Sequence, residues 1–338
     1  MSILFRYNKV MGCIAIILAL LGTSSSAYSA AQTLSVVAAY GDKEAIFAEF
    51  TKKTGIEVQF VDMSSGEVLA RSEAEGGRPM ADLWFGGGAD SFIAAADKGL
   101  LYSYVSPEAA TIPLQYRDPK GYWTGISLVM AGFLVNTEVL AEKNIAKPEK
   151  WADLAKPEYK DEVLIANPAI SGTTYAVVAC LLEQMGEVKG WTYFENVAKN
   201  VPFFAKRGGE PPKKVAIGEM AVGVAPLSGE FINMKAKFPV ETIFPKDGIP
   251  WLPAGMAIFK NAKNLEAAKA FVDWALSLEG QKFIQKRDPR IMVRPEIDPP
   301  KEMAGFVPSD LIPVNIFAIC ANRKQILDTW AQRVDVKK

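Results

Sequence analysis

Hydrophobic and polar positions alternate with two different periods along the segment 34–100. Short apolar runs predict buried strands, and longer stretches with apolar residues every three or four positions predict amphipathic helices. In chain order, strands and helices are expected in turn at 34–40, 43–54, 56–61, 65–75, 81–85 and 89–100. A strand–helix unit repeated three times is typical of an open, parallel, doubly wound sheet.

A second series of strands and helices follows a long β-rich stretch at 122–136. The pattern predicts strands at 162–166, 201–205, 221–225 and 249–259. It predicts helices from 171 onward and at 187–200, 211–220, 228–238 and 264–286. A chain of this length is large for one hydrophobic core. We therefore expect two α/β lobes.

The N-terminus has the layout of a cleavable secretory signal peptide. Arg6 and Lys9 precede an apolar stretch at 10–21, and small residues follow up to Ala31. This layout predicts cleavage before Gln32. The apolar stretch is too short to span a bilayer comfortably, so we expect an exported, soluble mature chain.

These patterns divide the chain into four parts. Residues 1–31 form the signal peptide, residues 32–130 and 251–292 the first lobe, and residues 131–250 the second lobe. Residues 293–338 are expected to pack back on the lobes as helices and loops. The predicted fold class is α/β, with two doubly wound lobes joined by a hinge of two crossings.

Composition and charge narrow the choice of function. Lys and Arg number 38, and Asp and Glu also number 38, so no strong field favours nucleic acid or a membrane surface as partner. The sequence contains no histidine, which removes the usual general base and the commonest transition-metal ligand. Familiar catalytic and phosphate-loop motifs are also absent. We therefore do not expect an enzyme, although a Ser/Lys or paired-carboxylate enzyme stays open as an alternative.

Two cysteines follow the signal peptide, Cys180 and Cys320. Export would permit a disulfide between them. Cys180 lies within an apolar helical run, however, and this position favours buried free thiols.

The segment that follows the strand 162–166 is the strongest candidate for ligand binding. Ser171-Gly-Thr-Thr174 precedes the apolar run 175–182, so a helix is expected to begin on small hydroxyl residues. The start of such a helix presents unpaired backbone N–H groups, the positive end of the helix dipole and side-chain hydroxyls, all of which suit an anion. The alternative interpretation is an ordinary N-cap that binds nothing.

Small or polar residues also follow each of the three N-terminal strands. These strand ends are Tyr40–Asp42, Ser64–Gly66 and Gly86–Gly88. Ligands of open α/β sheets gather beyond the carboxyl ends of the strands. A tight turn explains each segment taken alone, but three such ends at one edge of a sheet favour a binding site.

Several longer segments resemble one known family. They are Ala81–Gly88, Trp151–Lys160, Gly218–Val224 and Asn264–Gly280, and their order and spacing carry the resemblance. The chain is similar to the periplasmic substrate-binding proteins of ABC importers that have the two-lobed type II fold. It is most similar to the branch that binds ferric ion, phosphorylated sugars and phosphonates.

This resemblance implies a location, a mechanism and a partner. The protein is expected in the periplasm, where hinge closure would bury a small ligand between the lobes. A cognate ABC permease in the inner membrane would recognise the closed form. No bond would be made or broken, no cofactor is expected, and the protein is expected to be a monomer.

The sequence departs from the iron-binding relatives at the positions that hold the metal. Those proteins bind ferric ion with a tyrosine pair after the strand that covers 221–225 here, together with a histidine and a carboxylate. In this chain Pro226-Leu-Ser-Gly-Glu230 occupies the tyrosine positions, and histidine is absent. Because ferric ion prefers several hard anionic ligands, a ferric-ion-binding protein is the alternative and not the expectation.

A small phosphorylated organic anion fits the residues present, with a hexose phosphate ahead of a phosphonate. Arg207 suits bidentate contact with phosphate or carboxylate, and Glu230 can accept hydrogen bonds from sugar hydroxyls or from an ammonium group. A surface arginine and a favourable charge at a helix N-terminus are the alternative explanations. The candidate ligand-binding residues, none of them predicted to bind a metal, are Tyr40, Asp42, Ser64, Ser65, Gly87, Gly88, Ser171, Gly172, Thr173, Thr174, Arg207 and Glu230.

Overall fold

A computed structural model describes residues 33–76, 78 and 81–335 of the chain. The predicted signal peptide, residues 1–31, lies outside these described residues. Within the described ranges, no helix is both long enough and apolar enough to cross a membrane.

The N-terminal part alternates strands and helices as the hydrophobic pattern predicts. Its elements are β1 (Thr33–Ala39), α1 (Lys43–Thr54), β2 (Glu57–Asp62), α2 (Ser65–Ala74), β3 (Leu83–Gly88), α3 (Ala89–Asp97) and β4 (Leu101–Tyr102). β1 lies between β2 and β3 and is parallel to both, with Val36 aligned to Phe60 on one side and to Leu83 on the other. Phe47 and Phe50 on α1 are buried against the core, as an amphipathic helix requires.

The remaining elements form a second α/β series and a group of C-terminal helices. They are β5 (Thr124–Asn136), α4 (Thr137–Glu142), β6 (Val163–Ala166), α5 (Gly172–Met185), α6 (Glu187–Ala198), β7 (Phe204–Ala205), α7 (Glu210–Ala216), β8 (Val222–Pro226), α8 (Gly229–Ile232), β9 (Val240–Ile243), β10 (Trp251–Phe259), α9 (Leu265–Leu276), α10 (Leu278–Arg287), α11 (Ile316–Ala321) and α12 (Arg323–Arg333). The strand predicted at 201–205 is reduced to β7, and the helix predicted at 228–238 is reduced to α8 and a 3-10 turn.

β5 connects the two lobes because it pairs with strands of both. Its first half is antiparallel to β10, with Met130 aligned to Trp251. Its second half is antiparallel to β8 and β9, with Ala131 aligned to Pro226. The strand order β2-β1-β3-β10-β5-β8-β6-β7 puts β1, β2, β3 and β10 on one side of β5 and β6, β7 and β8 on the other, and β9 also pairs with β5. We use the terms first lobe and second lobe for these two groups, with β9 in the second. Every residue of β5 is buried, so the crossing is part of the core.

The prediction of a single long helix at 264–286 is wrong. The structure has two helices there, α9 and α10, with Ser277 in an extended conformation between them. The Oγ atom of Ser277 accepts a hydrogen bond from the backbone N of Gly280 at 3.0 Å, which caps α10. A Cβ atom at Gly280 would overlap the carbonyl oxygen of Trp274, so the tight turn requires glycine at that position. The apolar period continues through the break, which is why the sequence pattern does not reveal it.

The C-terminal helices contact elements of both lobes. α11 packs against α3 and α5, and the hydroxyl of Tyr175 on α5 donates a hydrogen bond to the carbonyl oxygen of Ile319 at 2.7 Å. On α12, the ring of Trp330 lies edge-on to Phe194 and Phe204 of the second lobe. Residues after 293 therefore contribute side chains to the packed core.

The two described cysteines are buried free thiols, which confirms the favoured interpretation. Burial raises the pKa of Cys180 to about 12 and that of Cys320 well above its ordinary value. Both thiols therefore stay protonated and unreactive at neutral pH.

Asp82 joins the first strand of the sheet to the start of α9. Its buried carboxylate accepts hydrogen bonds from the backbone N and the hydroxyl of Ser35, at 3.0 and 2.6 Å. It also accepts from the backbone N and the side-chain amide of Asn264, at 2.9 and 3.1 Å. Burial acts to raise the pKa of Asp82, but the hydrogen bonds outweigh burial and hold the pKa below its ordinary value.

Replacing Asp82 with Asn should lower the free energy of unfolding by about 2 kcal/mol at pH 7, because the charged acceptor is lost. Since the folded state holds the pKa of Asp82 below the ordinary value of 3.8, its stabilisation is present above that pH and is lost as the pH falls further. The difference between wild type and Asp82→Asn in urea unfolding should therefore shrink below about pH 4.

Asp97 on α3 is exposed and provides the control. Asp97→Asn should have the same free energy of unfolding as the wild type both at pH 7 and below about pH 4. A wild-type stability for Asp82→Asn at pH 7 would contradict this role.

Candidate functional site

The helices α2, α3 and α5 begin at one place in the structure. A Cβ atom at Gly172, the first residue of α5, would lie 2.7 Å from the Oγ atom of Ser65 and 2.8 Å from the backbone N of Gly88. The backbone N of Gly66 donates a hydrogen bond to the carbonyl oxygen of Ile170 at 3.0 Å. The N-termini of two helices of the first lobe therefore meet the N-terminus of a helix of the second lobe.

Glycine residues at the end of β3 allow β3 to lie close to the first residues of α2 and α5. β3 continues through Gly86–Gly88, where the sequence pattern predicts that the strand ends before the glycines. Gly87 has φ of +96°, a conformation that side chains with Cβ rarely adopt. A Cβ atom there would also lie 2.5 Å from the Cβ atom of Ser65. β3 thus ends directly against the start of α2.

The serine residues at the start of α2 and α5 differ in the hydrogen-bond partners of their hydroxyl groups. The Oγ atom of Ser171 accepts from the backbone N of Thr174 at 3.2 Å, so Ser171 is the predicted N-cap of α5. The backbone N of Ser64 donates to the carboxylate of Glu67 at 2.8 Å, which stabilises the start of α2. Ser65 is only 2% exposed, and its Oγ atom has no hydrogen-bond partner among the described residues. A buried hydroxyl without a partner is costly, and a ligand would relieve that cost.

The helix N-termini face a cavity of about 530 Å³ between the lobes. A cavity of this size holds a small organic molecule. The structure brings ten of the twelve candidate residues to its wall. They are Tyr40, Ser64, Ser65, Gly87, Gly88, Ser171, Gly172, Thr173, Arg207 and Glu230.

The other two candidates, Asp42 and Thr174, do not line the cavity. Asp42 is in the left-handed conformation before α1, and its carboxylate accepts a hydrogen bond from the Nε atom of Arg287 at 2.7 Å. Thr174 is buried behind the wall, with its hydroxyl 3.2 Å from the Oγ atom of Ser171. Both residues are engaged with the protein itself.

The cavity wall also contains charged residues that the sequence patterns did not indicate. They are Lys43, Asp62, Glu210, Lys213, Lys214, Glu219 and Arg290. Most of these charges are paired: Lys213 with Glu230 at 3.7 Å and Lys214 with Glu219 at 2.6 Å. No local signal marks Arg290, because it lies in an irregular segment after α10 and reaches the cavity only in three dimensions.

Arg207 joins the two lobes across the cavity. Its Nη2 atom lies 3.2 Å from the Oε2 atom of Glu67, and its Nη1 atom lies 3.7 Å from the Oδ2 atom of Asp62. Asp62 also pairs with the Nζ atom of Lys43 at 3.2 Å. Arg207 follows β7 in the second lobe, whereas its partners belong to β2 and α2 in the first. These half-exposed pairs favour the arrangement in which the lobes meet.

Tyr40 is the one tyrosine in the cavity wall among the described residues. Its hydroxyl lies 2.9 Å from the Oγ atom of Ser127, and the guanidinium of Arg290 lies 4.4 Å from the centre of its ring. Burial raises the pKa of Tyr40 to about 12, against the lowering effect of the Arg290 charge. The phenol is therefore neutral at physiological pH and does not offer a phenolate oxygen.

The described residues contain no group of three or more His, Cys, Asp or Glu side chains arranged to hold a metal ion. The donors in the wall are backbone N–H groups, hydroxyls and cationic side chains, and the wall also contains the carboxylates of Asp62, Glu210, Glu219 and Glu230. This donor set suits an anion with several oxygen atoms.

The comparison with known sequences defines the class of protein. Residues 78–302 match the family described as bacterial extracellular solute-binding proteins, and the chain belongs to that family. It is 33% identical over 298 residues to an uncharacterized protein of Haemophilus influenzae, and the alignment covers 86% of each chain.

Two solved structures are similar to the chain. The periplasmic binding protein AfuA from Actinobacillus pleuropneumoniae, with fructose-6-phosphate bound, has a TM-score of 0.84 and 31% identity, covering 90% of this chain and 99% of that one. The periplasmic binding protein P5PA has a TM-score of 0.83 and 28% identity, with the same coverage. The predicted two-lobed α/β fold and the predicted resemblance to type II periplasmic binding proteins are both confirmed.

Arg207→Gln should loosen the contact between the lobes without unfolding the protein. Exposed ion pairs contribute up to about 1 kcal/mol, so the ratio of closed to open molecules should fall by no more than about fivefold. Small-angle X-ray scattering without ligand should show a larger radius of gyration for the variant. The radius of gyration of the wild type should also increase in 1 M NaCl, because salt screens exposed ion pairs.

Arg71→Gln is the matched control, since Arg71 pairs with Glu75 on the same helix and joins no lobes. Equal radii of gyration for Arg207→Gln and the wild type at low salt would contradict the cross-lobe role.

Proposed function

We propose that this chain is the periplasmic solute-binding component of an ABC importer and that it captures a small phosphorylated organic anion. A hexose phosphate is the favoured ligand, and a phosphonate comes next. The ligand would bridge the two lobes, and closure of the hinge would bury it. A cognate permease in the inner membrane would then recognise the closed form. No covalent step is part of this function.

One observation carries the proposal: the N-termini of α2, α3 and α5 meet at a cavity, and the buried hydroxyl of Ser65 there lacks a partner within the described part of the chain. Each helix adds backbone N–H groups and the positive end of its dipole. Three such ends at one point favour a group that carries negative charge on several oxygen atoms. A phosphate or phosphonate has that form.

The relatives support a phosphorylated ligand and a periplasmic location. AfuA is a periplasmic binding protein whose structure contains fructose-6-phosphate. A Salmonella typhimurium relative that is 28% identical over 166 residues, 48% of this chain and 41% of its own, is named a phosphoglycerate transport regulatory protein. The predicted signal peptide at 1–31 would export the chain to the same compartment.

We place the hinge where the chain changes lobes. The boundary expected after residue 130 coincides with the point where β5 changes its partner from β10 to β8. The return crossing precedes β10, which begins at Trp251. We infer that the protein acts as a monomer, because a ligand held between its own two lobes requires no second copy.

Ser65→Ala should weaken binding of fructose 6-phosphate by about tenfold or more, because a hydrogen bond to a charged group contributes about 1.5–3 kcal/mol. Folding should be unaffected, since this hydroxyl makes no hydrogen bond to the described part of the protein. Isothermal titration calorimetry measures the affinity, and circular dichroism measures the melting temperature.

Ser72→Ala on the same helix is the matched control, because its hydroxyl donates to the carbonyl oxygen of Val68 and not to the cavity. Wild-type affinity in Ser65→Ala would show that the helix N-termini do not hold the anion. A charge-transfer colour on addition of ferric ion to the wild type would support the ferric-binding alternative instead.

A further inference from the structure

In the described part of the chain, the cavity wall contains five cationic side chains, and carboxylates occupy four of them. The five are Lys43, Arg207, Lys213, Lys214 and Arg290. Each of the three lysines pairs with a carboxylate that also lines the cavity, and these carboxylates are Asp62, Glu230 and Glu219. Arg207 has its Nη1 and Nη2 atoms within 3.7 Å of carboxylates of the first lobe. These four cations are therefore already engaged with the protein.

Arg290 differs from the other four in how its guanidinium is used. Its Nε atom donates a hydrogen bond to the Oδ2 atom of Asp288 at 2.6 Å. Asp288 is 1% exposed and does not line the cavity. The Nη1 and Nη2 atoms of Arg290 make no hydrogen bond to the described residues, and both remain accessible to solvent. Since Arg290 is only 7% exposed and lines the cavity, these two nitrogen atoms face the cavity.

The surroundings of Arg290 hold its guanidinium in one orientation. The guanidinium stacks 4.4 Å from the ring centre of Tyr40, and the hydroxyl of Tyr40 lies 2.9 Å from the Oγ atom of Ser127. The preceding carbonyl oxygen, of Pro289, accepts a hydrogen bond from the backbone N of Gly229 in the second lobe at 2.9 Å. A pair of donors that is fixed before the ligand arrives loses little entropy on binding.

Tyr40 connects Arg290 to the end of β3. A Cβ atom at Gly86 would lie 2.9 Å from the Cβ atom of Tyr40, so Tyr40 packs directly against the glycine residues that end this strand. α3 begins at the next residues, at Ala89. Tyr40 thus contacts both Arg290 and the strand end at which the helix N-termini meet.

The helix N-termini have already used some of their donors within the protein. The backbone N of Gly66 donates to the carbonyl oxygen of Ile170, and the backbone N of Thr174 donates to the Oγ atom of Ser171. A phosphate group accepts hydrogen bonds on each of its terminal oxygen atoms. The paired Nη atoms of an arginine match two such oxygen atoms. Arg290 can therefore supply donors that the helices do not.

We propose that Arg290 binds the phosphate group of the ligand through its Nη1 and Nη2 atoms, while Asp288 and Tyr40 hold the guanidinium in place. This inference rests on the proposed function. It assigns to Arg290 the bidentate contact that the sequence suggested for Arg207. Because Asp288 compensates the charge of Arg290, the contribution comes from two aligned hydrogen bonds to an anion and not from net charge.

The test measures two ligands that share only the phosphate group. Calorimetry gives the dissociation constant of fructose 6-phosphate, and competition with it gives that of inorganic phosphate. Arg290→Lys keeps a cation beside Asp288 but loses the planar fork, so both constants should rise by the same factor, about tenfold or more. Arg290→Gln combined with Asp288→Asn leaves no buried charge unpaired and should have the same effect.

Two other arginines are the controls. Arg294 is also buried, at 5% exposed, but its Nε, Nη1 and Nη2 atoms are all bonded within the protein, and it does not line the cavity. Arg294→Gln should leave both dissociation constants at the wild-type value, with circular dichroism as the check on folding. Arg207→Gln should raise them by no more than about fivefold, because its exposed pairs act only on the contact between the lobes.

The outcomes separate this inference from the proposed function. Wild-type affinity for both ligands in a folded Arg290 variant would overturn the inference, and an effect on fructose 6-phosphate alone would place Arg290 at the sugar and overturn it too. Binding of fructose 6-phosphate without competition from inorganic phosphate would also overturn it. If Ser65→Ala weakens both ligands and the Arg290 variants do not, the site at the helix N-termini stands and only this inference fails. If the wild type binds neither ligand, the proposed function fails as well.

Discussion

The structure depends on the close approach of three helix N-termini that belong to different lobes. Gly172 and Gly88 approach so closely that any side chain at Gly172 would collide with Ser65 or with backbone. Helix dipoles that point to one spot repel each other unless negative charge neutralises them. Glu67 in the first turn of α2 and Asp90 in the first turn of α3 place carboxyl groups near two of these ends, whereas the first turn of α5 has no acidic residue. Under the proposed function, an anionic ligand at these ends stabilises the arrangement in which the lobes meet, which couples binding to closure.

The remaining charges of the cavity modify this central interaction. Arg207 links the lobes through half-exposed pairs with Glu67 and Asp62, which contribute little energy but orient the lobes. Arg290 forms a buried ion pair with Asp288 at 2.6 Å in the cavity wall.

Local sequence patterns predicted most of the strands and helices and much of the candidate site. The features that they did not predict depend mainly on contacts between residues far apart in the sequence. The apolar runs on either side of Ser171 predicted both the helix and its N-cap, because capping depends on neighbouring residues alone. The sequence pattern did not predict the turn at Ser277, because the apolar period continues through it. Asp42 was predicted in the site, but its partner Arg287 lies 245 positions away in the sequence. Arg290 was missed for the same reason, since only the fold brings it to Tyr40.

Native mass spectrometry of protein purified without refolding tests the central claim most directly. The difference in mass between the native and the denatured protein gives the mass of a bound molecule, and fragmentation of that molecule reveals its phosphorus. The expected result is a small organic species that releases phosphate or phosphonate ions. A bound ferric ion, or an organic ligand without phosphorus, would contradict it.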